Sequence, residues 1–302
     1  MKIKDISEID LIRRLSKNFH LDKTVIKGSG DDAAVIKYTR DKYLLYTCDM
    51  TIEGVHFDFG KATPFQAGWK ALGRNISDIG AMGGVPKYAV VSLAISPGQK
   101  VSVADGICKG LKSIADRFGV NIVGGDMSVS KNIVIDVSLI GEVEKKKLVL
   151  RSGAKTGDVI FVTGSLGRSI KGKHLNFIPR VNEARRILKN FKINSMIDIS
   201  DGLALDLNRI LKASCVGAHV YESAIPLSKD ASVNNALYDG EDYELLFTMS
   251  AKEARQFYRT ILKKIDTPVS LIGEITAKKD GYKIIGEDGK IEDMKIKGYL
   301  HF

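Results

Sequence analysis

Two α/β domains (α/β with α+β character), one after the other, are what the sequence predicts. Three observations carry this. Short apolar runs alternate with helical periodicities along the whole chain, 302 residues exceed one typical domain, and a turn-rich passage restarts the pattern near the middle. Residues 5–20 place Ile6, Ile9, Ile12 and Leu15 at helical spacing and lead into a loop with glycines at 28 and 30. Residues 33–38 (AAVIKY) and 43–50 (YLLYTCDM) read as strands, 65–83 as a helix, 88–95 as a strand, 103–119 as a helix, and 121–126 and 132–143 as two further strands. At Arg151 the text becomes RSGAKTGDVIFVTG, a turn followed by a strand. The boundary is placed so that the domains are 1–146 and 147–302. The second half continues with 195–214 as strand, acidic turn and helix, 217–228 with a strand, 238–250 as acidic turn and strand, 252–264 as a helix and 268–276 as a final strand.

Composition removes several classes. With 44% hydrophobic and 27% charged residues, the chain has core material for both halves and is not a disordered sequence. No run approaches the roughly 20 apolar residues of a membrane span, and the acid-containing start lacks a signal core, so a cytoplasmic protein is expected. Cys48, Cys108 and Cys215 are odd in number and far apart, which fits neither a disulfide framework nor a zinc site; they are expected to be buried thiols. Lys+Arg 46 against Asp+Glu 36 gives a net charge of +10. The basic residues are interspersed with acids and form no aromatic-spaced stripe, so nucleic acid is not the expected partner.

The informative residues are aspartates beside glycine or at strand ends. Gly28-Ser29-Gly30-Asp31-Asp32 sets two carboxylates on a turn before a strand, where backbone and side chains can both approach a ligand. Asp49 ends the run YLLYTCDM beside Thr47 and Thr51, Asp126 follows Gly124-Gly125, and Asp198 and Asp201 flank Ser200 in MIDISDG. Asp78 sits in a helix among Ile76, Ile79, Ala81 and Met82, where an acid has no structural reason to be unless something positive pairs with it. Any one of these alone is as well explained by a helix cap or an Asx turn; together they are not. Magnesium takes oxygen ligands and bridges carboxylates to substrate phosphates, so the set suits a nucleotide site with several Mg2+ ions. No GxxxxGK[ST] and no kinase HRD or DFG set is present, so phosphates would be held chiefly through metal.

GSGDDAAVI, TCDMTIEGVHF, NISDIGAMGG, VGGDMS, RSGAKTGDVIFVTGSLG, IDISDGLALDL, DGEDYELLFT and KGYLHF occur in the order that the thiamine-monophosphate kinase family shows. Over nearly its whole length the chain resembles that family, a branch of the aminoimidazole ribonucleotide synthetase-like superfamily. The resemblance implies a two-domain fold whose N-terminal sheets pair in a homodimer to form a β-barrel. It implies ATP-dependent phosphorylation of thiamine monophosphate to thiamine diphosphate, with ATP and magnesium between the domains. Carried onto this sequence, it makes Asp32, Thr47, Cys48, Asp49, Asp78, Asp126, Asp198 and Asp201 the metal-site residues. Gly125, Asp126, Arg151 and Ser200 become ATP contacts, and His56, Glu241 and Tyr299 substrate contacts. A cationic thiazolium and a flat aminopyrimidine suit a carboxylate and an aromatic face. Read without the resemblance, Glu241 is a turn acid and Tyr299 a packing residue.

Two departures from the family pattern stand out. Cys48 occupies a place usually held by Ser or Thr, so a contact to a hard cation there would come from its carbonyl rather than its thiol. The passage from TGSLG to HLNFIPR is short, which implies a truncated helix. Selenophosphate synthesis would want a cysteine in the N-terminal glycine loop and hydrogenase maturation a C-terminal cysteine; this chain has neither. A non-catalytic nucleotide binder would not need every acid retained.

Overall fold

The computed structural model describes residues 2–260 and 265–300. The helices are α1 (Glu8–Ser16), α2 (Pro64–Ala81), α3 (Val101–Phe118), α4 (Lys173–Asn176), α5 (Val181–Asn190), α6 (Leu203–Ser214), α7 (Val233–Tyr238) and α8 (Ala251–Thr260). Strands β1 (Val25–Lys27), β2 (Ala34–Lys37), β3 (Lys42–Ile52), β4 (Val85–Ala94), β5 (Asn121–Ser128) and β6 (Val134–Glu144) form one sheet in the order β1-β2-β3-β6-β4-β5. Strands β7 (Asp158–Thr163), β8 (Ser195–Asp198), β9 (Gly217–Tyr221), β10 (Leu245–Ser250), β11 (Val269–Thr276), β12 (Tyr282–Ile285) and β13 (Ile291–Asp293) form the other, in the order β13-β12-β9-β11-β7-β10-β8. Both sheets are mixed: β4 runs parallel to β5 and β12 to β9, while the remaining pairs are antiparallel.

In the first sheet β6 alternates buried and half-buried residues along its whole length, as a strand with one face on a core does. That core is closed by α2 and α3. The two helices touch backbone to backbone because a Cβ at Gly68 would lie 2.0 Å from the Ile107 carbonyl oxygen, and one at Gly110 1.9 Å from that of Phe65. The opposite face is uncovered and apolar, with Tyr46, Met50, Tyr88 and Val90 exposed, and every residue of the edge strand β5 is exposed.

The second sheet is covered on both sides. Alternation along β7 sends Ile160 and Val162 to α6 and α7, and Phe161 to α5 and α8, where it stacks on Phe247 and meets Phe257 edge-on. Each such aromatic burial contributes on the order of 2–3 kcal/mol. Helix α2 is wedged between the domains: Trp69 Nε1 donates to the Phe177 carbonyl at 2.9 Å, and Gly80 lies against Val181 of α5.

Several expectations shift. Helix α1 starts only after the Ser7 cap, and none of its residues is buried; Ile12 and Leu15 form an apolar stripe with no core beneath. The expected helix over 252–264 is seen as Ala251–Thr260; residues 261–264, and His301 and Phe302 of the KGYLHF ending, lie outside the described residues. The short passage contains a 3-10 turn at Ser169–Lys171 and the single turn α4. All three cysteines, expected to be buried, are exposed. Strand alternation turns Cys48 to the uncovered face of β3, Cys108 lines the open groove between α3 and β5, and Cys215 ends α6 in a left-handed conformation. Among the described residues, no helix is long and apolar enough to cross a membrane.

Candidate active site

Three carboxylates from distant parts of the chain meet where the two domains face each other. Asp32 comes from the glycine turn before β2, Asp78 from near the C-terminal end of the buried α2, and Asp198 from the last position of β8. Their ligand oxygens all lie within 4.8 Å of one another. Each is held by a donor: Thr47 Oγ1 donates to Asp78 Oδ2 at 2.5 Å, Ser77 Oγ to Asp198 Oδ2 at 2.5 Å, and Arg151 Nη2 to Asp32 Oδ1 at 2.6 Å. Thr47 can do this because it points to the buried side of β3, the side opposite Cys48. The Ser77 and Arg151 bonds also join the first domain to the second.

Burial raises the carboxyls of Asp32, Asp78 and Asp198, and like charge pushes Asp78 and Asp198 further, well above the ordinary carboxylate range. Such a group of acids either takes up protons or holds a cation. Asp32 Oδ2 and Asp31 Oδ2 are buried oxygens without a hydrogen-bond partner, and the cluster offers only hard oxygen donors. That donor set fits a hard divalent cation such as magnesium. The two acids of the glycine turn divide their work, since Asp31 Oδ1 accepts the backbone N–H of Arg151 at 3.0 Å.

The remaining expected residues fall into three places. Asp49 adjoins the cluster and is ion-paired to Arg74 at 3.1 Å. Asp201 pairs with Arg209 at 2.5 Å, and its backbone N–H and that of Ser200 both donate to Asp206 Oδ2, which fixes the SDG turn. Glu241 sits in the left-handed region (φ 56°), anchored by its N–H to the Ser200 carbonyl at 2.7 Å and by the ammonium of Lys70. Lys70 also donates to the His56 carbonyl at 2.6 Å, while His56 Nδ1 accepts the Ile52 N–H at 3.1 Å. The Tyr299 N–H donates to the Asp201 carbonyl at 3.0 Å, laying the C-terminal segment beside these groups. Gly125 and Asp126 are not joined to them. Both stand within the exposed strand β5, so the strand-end, apolar setting expected for Asp126 is corrected to the middle of a solvent-facing edge strand. The Cys48 thiol faces away as well, donating to Asp136 at 3.3 Å.

The sequence reading missed Lys70, Arg74, Ser77, Asp206 and Arg209. A signal was present for the first two: Lys70, Arg74 and Asp78 are spaced four apart and share one face of α2.

The AIR synthase related protein N-terminal domain matches residues 30–143, and the corresponding C-terminal domain matches 155–286. The thiamine-monophosphate kinase of Buchnera aphidicola subsp. Schizaphis graminum is 36% identical, with 99% of each chain covered. The chain belongs to the thiamine-monophosphate kinase family. The family member of Bacillus subtilis is 33% identical over 98% of this chain and 100% of its own. A solved structure of AaThiL complexed with AMPPCP and TMP superposes with a TM-score of 0.85 at 32% identity, covering 100% of this chain and 99% of that one. The three-aspartate cluster thus lies in a chain alike to these kinases from end to end.

Proposed function

We propose that the protein transfers the γ-phosphoryl group of ATP to the phosphate of thiamine monophosphate, giving thiamine diphosphate. The observation that carries this reading is the cluster of Asp32, Asp78 and Asp198, built from both domains of a chain that matches thiamine-monophosphate kinases over their full length. The chain divides between residues 146 and 147, and both halves supply the site. Asp32, Asp78 and Asp198, with Asp49, Asp126, Asp201, Thr47 and the Cys48 carbonyl, would hold magnesium. Bound there, magnesium supplies charge neutralisation for the triphosphate and fixes the geometry of its γ-phosphoryl group.

The chain's own groups do the rest by position. Thr47 and Ser77 fix which carboxylate oxygens face inward, and Arg151 ties Asp32 to the second domain. Arg151, Ser200, Gly125 and Asp126 contact ATP, and His56, Glu241 and Tyr299 contact the thiamine rings. The acceptor phosphate is already an anion near neutral pH, so direct in-line attack on the γ-phosphorus needs no general base. A covalent phosphoenzyme recovered from a quenched reaction would overturn the direct route.

The uncovered apolar face of the first sheet and its fully exposed edge β5, which carries Gly125 and Asp126, support a homodimer in which two such sheets close a barrel. Light scattering that gave the mass of one chain would remove that assembly. The expected setting is the cytoplasm. The deciding test is transfer from γ-labelled ATP, with thiamine monophosphate and thiamine as parallel acceptors and magnesium omitted as a control. Label in thiamine diphosphate is expected only with the monophosphate and only with magnesium; no label with the monophosphate overturns the reading.

A further inference from the structure

The face of α2 that carries Lys70, Arg74 and Asp78 runs from one end of the site to the other. One residue per turn separates them by about 6 Å each along the axis. At one end the Lys70 ammonium is fully buried and engaged by Glu241 and the His56 carbonyl, two of the three residues assigned to the thiamine rings. At the other end Asp78 belongs to the carboxylate cluster. Arg74 stands between them. Its Nη2 reaches Asp49 Oδ1 at 3.1 Å, and its Nη1 donates to the Met50 carbonyl at 2.9 Å and to Thr51 Oγ1 at 3.4 Å.

The acceptor must span the same interval, with its rings near Glu241 and its phosphate toward the γ-phosphoryl group. An anionic phosphate brought there meets Asp49, Asp78 and Glu241, and all three lie within electrostatic reach of Arg74. Repulsion from those carboxylates has to be offset by a cation at mid-site. Lys70 is sealed beneath Glu241, and Arg151 is bound to Asp32 at the nucleotide end. Arg74 keeps 16% of its side chain exposed, and its planar fork of N–H donors can share Asp49 with, or leave it for, a phosphate oxygen pair.

We propose that Arg74 is the clamp for the acceptor's own phosphate: it holds the oxygens that do not attack and makes the site select a phosphorylated acceptor over the free alcohol. It moves no proton and forms no bond to the transferred group. Before substrate arrives Asp49 occupies the guanidinium, which keeps the mid-site neutral. The inference rests on thiamine monophosphate being the acceptor, as proposed above.

Calorimetric binding of thiamine monophosphate and of thiamine to the magnesium-loaded full chain, with a non-hydrolysable ATP analogue present, tests it. In Arg74→Met the affinity for the monophosphate falls by about 30- to 100-fold, the range of a lost charge-assisted pair, while that for thiamine stays within about threefold. Arg74→Lys keeps the charge but not the fork and loses about tenfold for the monophosphate alone. Equal losses for both ligands would make Arg74 a structural residue, and an unchanged monophosphate affinity in either variant would remove the clamp. If Arg74→Met does not fold, the Arg74→Lys comparison decides by the same criteria. Wild-type protein that transfers no label to thiamine monophosphate sinks the parent reading; wild-type transfer with insensitive variants sinks the clamp alone.

Discussion

At Asp78 a half-buried carboxylate stands with oxygens of Asp32 and Asp198 within 4.8 Å, and both burial and the neighbouring charges oppose its ionisation. Without a cation, these acids destabilise the folded chain; with one, the same arrangement becomes a source of stability. Asp78→Asn separates the two states. In the absence of divalent cations the variant melts a few degrees higher than wild type, about 1 kcal/mol, because one acid that must either repel its neighbours or be protonated at a cost is gone. Added magnesium raises the melting temperature of wild type but not of the variant, and turnover falls more than about tenfold, at least about 1.4 kcal/mol of transition-state stabilisation. A variant that still gained stability from magnesium and kept its activity would take Asp78 out of the metal site. Part of this was legible at the residue level: an acid on an apolar helix marked Asp78 as a site residue, although its bonded partner is the Thr47 hydroxyl and Arg74, one turn before it, pairs with Asp49 instead. The pairing of Asp201 with Arg209 and of Asp198 with Ser77 was not legible, since each depends on which side chains a turn or a second domain brings within reach.

Elements differ in how plainly the sequence announces them, and the difference follows from what buries them. Strands β6 and β7 and helix α2 carry periodicities because a core lies against them, so their existence could be read directly. The stripe of α1 predicted a longer helix over 5–20, but no core supports its ends, and Ser7 sets its start. Strand β5 lacks burial alternation because every residue of it stays exposed, and the strand read over 121–126 ends at Asp126, two residues short of its end at Ser128. The depth of α2 rests on glycines rather than on its apolar stripe. A methyl at Gly68 or Gly110 would press on a carbonyl oxygen at 2.0 or 1.9 Å, forcing the helices apart and tilting Asp78 away from Asp198. Gly68→Ala should therefore lose about 2–3 kcal/mol of unfolding free energy in urea, the scale of overpacking with backbone displacement. Gly124→Ala, with nothing within 4 Å of the added carbon, should lose much less. Equal losses would mean that α2 and α3 accommodate the methyl without separating.

For the molecule as a whole, the sequence indicates two α/β halves but not the strand orders β1-β2-β3-β6-β4-β5 and β13-β12-β9-β11-β7-β10-β8, which long-range pairing decides. Nor does it indicate what fixes one half against the other, and on that the distance from Asp198 to Asp32 and Asp78 depends. One tie lies away from the site. Arg185 of α5 grips Glu144, the last residue of β6, with Nη1 at 2.6 Å and Nη2 at 2.8 Å, and also donates to the Gly83 carbonyl at 2.9 Å. That fork holds the Glu144 carboxyl down at about 2, against an ordinary 4.5, with Lys147 adding to the effect. A depressed carboxyl contributes stability above its unfolded value of 4.5 and loses it as pH falls toward about 2. Glu144 is 39% exposed, so solvent screening reduces the contribution to about 0.5–1 kcal/mol. Glu144→Gln should accordingly show a deficit of that size in urea midpoints at every pH above about 5, shrinking steadily as the wild-type carboxylate protonates below it. Salt near 1 M should reduce the deficit at neutral pH as well, because the Debye length there is about 3 Å. A deficit that ignored both pH and salt would show that the amide fails by shape, and that charge across the junction does not set how the two domains meet.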